Sequence, residues 1–185
     1  MSNLFNTMVQ KMTWKKVIIF TLIFAAFFVL INFSAIGVAG LLEITNGANI
    51  LDFEFGYTYE EAHSLLTALE TEGRAFYLNK ILPIDYPFPF AYALFYVGLI
   101  ALLLKHIKSH KLFGYSLLVP IFAMLFDWTE NIGLIAMLRS YPNLSEWSVQ
   151  LASVTGMLKT VFTYASIAII AGLFIVFVYS KLRRK

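Results

Sequence analysis

The chain has 185 residues, 59% of them hydrophobic and only 14% charged against about 25% in a soluble domain, so residues 1–185 read as a single membrane-embedded helical domain. It holds no cysteine, which excludes disulfides, thiolate metal sites and the quinone-linked disulfide chemistry of some small four-helix membrane proteins. The net charge of +3 and pI near 9.0 do not signal nucleic acid, because the basic residues lie where a membrane topology puts them.

The first apolar run, Val17 to Leu42, exceeds the roughly 17–25 residues that cross a bilayer. Lys11, Lys15 and Lys16 precede it as they would a secretory signal. Its apolar core is longer than the roughly 7–15 residues of a signal, and no clear Ala-x-Ala site follows, so an uncleaved anchor is expected. The only long connection runs from Glu43 to Pro87, with turns marked by Asn46-Gly47 and Gly56. Thr58-Tyr59-Glu60-Glu61 then has capping-box spacing, in which a Thr hydroxyl and a Glu carboxylate satisfy each other's free backbone N–H at a helix start. The helix that follows places Ala62, Leu65, Leu66 and Leu69 on one face. Gly73 is expected to interrupt it, and Arg74 to Leu82 to form a second amphipathic piece ended by Pro83. Together these pieces read as a hairpin lying over the bundle as a lid.

The remaining spans are Phe88 to Leu104, Tyr115 to Leu138 and Met157 to Ser180. The expected fold is an all-α, polytopic four-transmembrane-helix bundle with an extracytoplasmic amphipathic helical hairpin between spans one and two. Orientation follows from charge. Lys11, Lys15 and Lys16, then Lys105, Lys108 and Lys111, then Lys181, Arg183, Arg184 and Lys185 fill three segments that contain no acid. Nine of the acids, from Glu43 to Glu146, lie in the other connections. The positive-inside rule therefore puts both termini in the cytoplasm, with Trp14, Tyr115 and Tyr179 at the inner interface and Tyr86, Tyr141 and Trp147 at the outer one. A bacterial or archaeal plasma membrane is the simplest setting.

Span three carries Asp127, Glu130 and Asn131, and carboxylates at that depth are costly. Ser116, Pro120, Ala123, Asp127, Glu130, Asn131 and Leu134 form one stripe at helical spacing, a small-and-polar face suited to other helices. At about 1.5 Å per residue, Asp127 lies roughly 18 Å and Glu130 roughly 22 Å from the inner end, in the outer half of the hydrocarbon. Asn32 of span one reaches a similar level. On span four, Thr155, Lys159, Thr163 and Ser166 make a second polar stripe, from which Lys159 can either snorkel outward or reach Glu130. Tyr92 and Tyr96, at i and i+4 on span two, offer hydroxyls from a third side. Two carboxylates three residues apart repel, so the pair demands a proton on one of them or a cationic partner. The picture is a polar pocket in the outer half of the bundle, with Asp127 and Glu130 as candidate catalytic groups and Asn32, Asn131, Lys159 and Thr163 among its ligand-binding residues. The alternative is that Asn32 and Asn131 are hydrogen-bonded glue between helices.

In the lid, Arg74, Tyr77 and Asp85 can bring a cation and hydrogen-bonding groups to the pocket mouth, where an Arg fork suits a carboxylate or phosphate. Equally, Arg74 can pair with Glu70, Asp85 or lipid phosphates. Glu60 and His63 have the Glu-x-x-His spacing of di-iron bundles, but such sites need two copies and one is present, so no metal ligand set is expected. His106 and His110 lie in a Lys-rich connection that favours solvation or anionic lipid over ligation. No histidine lies inside a span and no nucleotide, nucleophile-elbow or zinc motif occurs, so no cofactor is expected.

Leu51-Asp52-Phe53-Glu54-Phe55-Gly56-Tyr57, Gly73-Arg74-Ala75-Phe76-Tyr77, Asp85 ahead of Pro87 and Tyr92, and Asp127-Trp128-Thr129-Glu130-Asn131 together form a pattern covering most of the chain. It resembles that of small four-span integral membrane proteins of prokaryotes, which implies the four-span fold and no particular activity. In architecture the chain is also similar to proteins of the sterol-isomerase and sigma-2-receptor type, which bury acids in a cavity for an amphiphilic amine or sterol. It departs from them in having Asn32 and no acid in span one.

Three functions fit these residues. The leading expectation is a pocket that binds a small amphiphile or lipid, with proton transfer or isomerisation as the reaction its carboxyls can support if it is an enzyme. The second is a proton-linked transporter or pump subunit that uses Asp127 and Glu130 as a relay. The third is a scaffold or assembly factor, with the acids paired to a cationic residue of its partner, a second copy or another membrane protein. The bilayer is a partner in all three, and nucleic acid in none.

Overall fold

The computed structural model describes residues 2–107 and 114–183, which are mainly helical with no strand among them. Nine α-helices follow in chain order among the described residues: α1 (Ser2–Lys11), α2 (Trp14–Phe33), α3 (Val38–Ile44), α4 (Tyr59–Ala68), α5 (Glu70–Phe76), α6 (Leu82–Asp85), α7 (Phe88–Ile107), α8 (Leu118–Ser140) and α9 (Glu146–Leu182). Four helical stretches are long and apolar enough to cross a membrane. Lys108, His110, Lys111, Arg184 and Lys185 lie outside the described residues.

Packing is asymmetric. α8 and α9 run along each other, α7 packs on both, and α2 leans chiefly on α7, with smaller contacts to α3 and α6. Apolar side chains such as Leu22, Val29 and Phe33 of α2 and Phe174 and Ile175 of α9 are largely exposed, a surface that only lipid or a partner would solvate favourably.

The first apolar run remains one candidate span, from Trp14 to Ile44, but it is built of two helices and not one continuous helix. α2 stops at Phe33, where Ser34 turns extended and its hydroxyl donates to the Leu30 carbonyl, and α3 restarts at Val38. α9 differs in the other sense, beginning at Glu146 instead of Met157 and running 37 residues, about 55 Å. Its first turns stand beside the 43–87 segment, where the Tyr57 N–H donates to Ser153 Oγ at 2.8 Å.

The capping box forms as the spacing requires: Glu61 N–H donates to Thr58 Oγ1 at 3.2 Å, and Thr58 N–H to Glu61 Oε2 at 2.8 Å. Ala62, Leu66 and Leu69 are buried and Leu65 is half-buried, so the predicted face is the packed one. The break falls elsewhere. Glu70, with φ of 55°, interrupts the helix, while Gly73 lies within α5 and lets it approach α3. A Cβ at Gly73 would stand 2.5 Å from Thr45 Cγ2, so it serves close packing and not termination. Pro83 does not end the second piece either. A π-turn over Tyr77–Ile81, in which Leu82 N–H donates to the Tyr77 carbonyl, widens the helix just ahead of it and carries the chain into α6.

An apolar cluster built on Leu41, Leu51, Leu66, Leu69, Ile81 and Met137 fills the end of the bundle that carries residues 43–87. A second, built on Val9, Ile100, Leu104, Leu117 and Leu173, fills the opposite end, with α1 packed on α7. Lys105 Nζ donates to the Gln10 and Met12 carbonyls at 2.8 and 2.9 Å, satisfying the last carbonyls around α1. The site lies between these clusters.

Candidate functional site

The stripe predicted on span three exists because 127, 130, 131 and 134 share one face of α8, and that face is turned inward: Asp127, Glu130, Asn131 and Leu134 are all buried. A carboxylate here cannot be solvated by water, so its neighbours determine its charge. Glu130 faces Lys159 of α9, with Oε2 2.5 Å from Nζ. Of the two poses open to Lys159, the inward one is found. Its ammonium also stands 3.5 Å from Asp52 Oδ1, so one cation bridges two acids.

Gly156 makes that approach possible. It lies one helical turn before Lys159 on α9, and a Cβ there would stand 2.5 Å from Glu130 Oε1 and 3.1 Å from Cδ. A hydrogen at this position is therefore a requirement for the carboxylate to lie against the α9 backbone.

The other acids are oriented from behind. Tyr92 of α7 donates its hydroxyl to Asp127 Oδ2 at 3.0 Å, and Asn131 Nδ2 donates to Asp85 Oδ2 at 2.8 Å. The Tyr77 hydroxyl, fully buried at the π-turn, donates to Asp52 Oδ2 in a short hydrogen bond. Four carboxylates thus gather around one ammonium. Asp127 Oδ1, Glu130 Oε1, Asn131 Oδ1 and the Tyr57 hydroxyl are buried without a hydrogen-bond partner among the described residues. The hydroxyl of Tyr57, outside the spans, is held protonated well above its ordinary range, first by burial and then by the negative charge of Glu130 and Asp52.

Beside this cluster lies a cavity of about 410 Å³. Asp52, Asp85, Asp127 and Lys159 form its polar end, and Phe24, Phe28, Phe88, Tyr92 and Tyr96 supply most of its aromatic wall. The Phe24 ring stacks on Phe88 and Phe95, with centroids 5.8 and 5.0 Å away, which ties α2 to α7. Across the cavity stand Thr163, Tyr164 and Ile167 of α9. α2 and α9 do not pack along each other, and the cavity occupies the space between them, with exposed Phe28, Phe53, Tyr164 and Ile167 on its lining. Its opening therefore runs sideways between two of the long apolar helices, not only toward the 43–87 segment as the sequence suggests.

Of the residues proposed from sequence, Asn32, Tyr92, Tyr96, Asp127, Lys159 and Thr163 line this cavity. Asn32 donates to its own helix, to the Phe28 carbonyl at 2.9 Å. Glu130, Asn131 and Tyr77 stand behind the wall and act on it through Lys159, Asp85 and Asp52. Arg74 neither lines the cavity nor pairs with Glu70 or Asp85 among the described residues. Its guanidinium donates to the Leu66 carbonyl at 2.7 Å and to Thr71, and lies 3.9 Å over the Tyr141 ring, away from the cavity and from Glu70 and Asp85. His63 is half-buried between Tyr59 and Tyr141, and Glu60 is exposed.

Sequence reading left out Asp52 and Tyr57. Asp52 was one acid among nine in the connections, and the signal that marks it is local: it alternates with the apolar Leu51 and Phe53 in a short 3₁₀ turn whose Leu51 is buried. Compared with family models, curated proteins and solved structures, the chain matches none of them.

Proposed function

We propose that the protein is an integral membrane protein that binds a small amphiphile or lipid in the cavity between α2 and α9, with the Asp52, Asp85, Asp127 and Lys159 end receiving its polar group. One observation carries this reading: a cavity of about 410 Å³ that is aromatic along its wall, charged at one end and open sideways between two long apolar helices. That polarity matches a molecule with an apolar body and a polar tip. The distribution of Lys and Arg supports both termini on the cytoplasmic side of a plasma membrane, which sets the acidic end in the outer half and makes the 43–87 helices an extracytoplasmic lid. If the bound molecule is transformed, the chemistry suited to the site is proton transfer by Asp127, whose Oδ1 is free of other partners.

The proton-relay reading finds less support. The acids gather around Lys159, while the opposite end of the bundle is packed with apolar side chains such as Ile100, Leu104, Leu117 and Leu173. The scaffold reading rests on the exposed apolar faces alone.

Mass spectrometry of molecules that co-purify with the chain tests the proposal. Wild type is expected to retain an amphiphile that Thr163→Trp, which fills the cavity, and Asp127→Asn each release. Acid-driven flux into liposomes, lost in Asp127→Asn and Glu130→Gln, would instead favour the relay. A folded wild type that retains no amphiphile would refute the proposal.

A further inference from the structure

The carboxylates at the end of the cavity carry a second property, which does not depend on whether an amphiphile fills the aromatic end. One oxygen from each of Asp52, Asp127 and Glu130 lies within 4.8 Å of the others. Oxygen ligands sit about 2.3–2.6 Å from Ca²⁺, so two ligands of one ion stand at most about 4.6–5.2 Å apart. The three oxygens are already within that reach. For Mg²⁺, at about 2.0–2.1 Å, the limit is about 4.2 Å, which this spacing does not guarantee.

The unpartnered atoms give an independent indication. Asp127, Glu130 and Asn131 are at most 4% exposed, yet among the described residues Asp127 Oδ1, Glu130 Oε1 and Asn131 Oδ1 receive no hydrogen bond, and neither does the buried Tyr57 hydroxyl. All are oxygens with lone pairs to give; Asp127 and Glu130 belong to the three-carboxylate group, Asn131 bonds Asp85 beside it, and the Tyr57 hydroxyl feels the charge of Glu130 and Asp52. Buried oxygens of this kind are strongly disfavoured unless something positive meets them. Hydrogen bonds from Tyr77 to Asp52 and from Tyr92 to Asp127 fix one oxygen of each carboxylate, as outer partners do for metal ligands; the other oxygen of Asp127 has no partner among the described residues, and that of Asp52 faces the Lys159 ammonium. Charge points the same way. Lys159, the one cation on the cavity lining among the described residues, pairs with Asp52 and Glu130, and Asp85 and Asp127 line the same cavity.

We infer that Asp52, Asp127 and Glu130 form a binding site for a hard divalent cation of Ca²⁺ size, and that the Lys159 ammonium is a tethered competitor for it. The donor set is all oxygen, which selects against soft and borderline metals. Lys159 retains 15% side-chain exposure at the cavity edge, so it can withdraw along the cavity as the ion enters. This revises the sequence-based expectation that the chain has no metal ligand set.

The test uses the full chain in nanodiscs after chelator treatment, titrated with Ca²⁺ alone by calorimetry and with Mn²⁺ alone by electron paramagnetic resonance. Wild type is expected to bind one equivalent. Asp127→Asn and Glu130→Gln should each weaken binding by about tenfold or more, and Lys159→Met should tighten it. Carbodiimide labelling of wild type, mapped by peptide mass spectrometry, needs no variant to fold: Ca²⁺ should protect Asp127 and Glu130. The inference is overturned if wild type binds neither ion at millimolar concentration, if well-folded Asp127→Asn and Glu130→Gln bind as wild type does, or if Ca²⁺ protects only surface acids such as Glu60 and Glu61. None of these results requires an amphiphile, so failure here leaves the proposed cavity ligand standing, and the reverse also holds.

Discussion

Alanine at Gly156 and alanine at Gly172 are the same one-carbon change on the same helix, and the structure predicts opposite signs for them. No atom lies within 4 Å of a Cβ built at Gly172, so that variant should gain the helix propensity of alanine over glycine, about 1 kcal/mol. At Gly156 the new methyl would stand 2.5 Å from Glu130 Oε1, while Lys159 holds the same carboxylate at 2.5 Å. Either the helices part or Glu130 turns away from its ammonium. Overpacking costs about 1–3 kcal/mol, and complete loss of a buried ion-pair partner about 3–5 kcal/mol. The propensity gain is common to both variants. With overpacking and partial loosening of the ion pair, Gly156→Ala should therefore lie roughly 3 kcal/mol below Gly172→Ala. For a chain of this length each kcal/mol shifts Tm by about 2–4 °C, a separation of about 6–12 °C. Thermal unfolding of both variants, followed by tryptophan fluorescence in one detergent, measures it. If Gly156→Ala melts at or above Gly172→Ala, Glu130 is not lodged against α9 and the site geometry described above is wrong.

Tyr92→Phe removes the hydroxyl that donates to Asp127 Oδ2, and should cost about 1.5–3 kcal/mol in the same melting assay; an unchanged Tm would dissociate Tyr92 from the acid. Thr58→Ala breaks the capping box and should cost about 1 kcal/mol, read as faster hydrogen exchange over residues 59–68 with cavity binding intact. Because the folded state holds the Tyr57 proton above the ordinary value of 10.0, the unfolded chain releases it first as pH rises. Stability should therefore be independent of this group below about pH 10 and fall above it. Tyr57→Phe should make that alkaline decline shallower, and identical Tm profiles between about pH 9 and 11.5 would count against the burial of this hydroxyl.

The four long helices were legible because an apolar run of span length has few other stable uses, and the inward face of α8 because Asp127, Glu130 and Asn131 are costly anywhere else. Lys159 and Tyr92 were legible by helical phase. Asp52 was not, since it sits in a turn whose position depends on how residues 43–58 cross the bundle end, and no periodicity reports that. Arg74 misled for a related reason: a cation near a pocket mouth in sequence was claimed instead by the Leu66 carbonyl and the Tyr141 face. The break at Ser34 and the π-turn before Pro83 escaped because both are local backbone solutions in segments whose composition still favours helix. α1 was hidden because Ser2–Lys11 mixes polar and apolar residues in a piece too short to span, and its place is fixed by packing on α7.

The gap between α2 and α9 alters what an affinity would mean for this protein. If the cavity binds an amphiphile as proposed, such a doorway would face acyl chains inside a bilayer, so a guest would partition first and dock second, and its mole fraction among lipids would govern occupancy. Two guests with equal intrinsic fit would differ in apparent strength by their oil–water distribution alone, at about 0.8 kcal/mol for each methylene. Detergent tails would compete at the same doorway, so dissociation constants compared across micelles and vesicles should diverge in proportion to how much apolar phase each preparation contains.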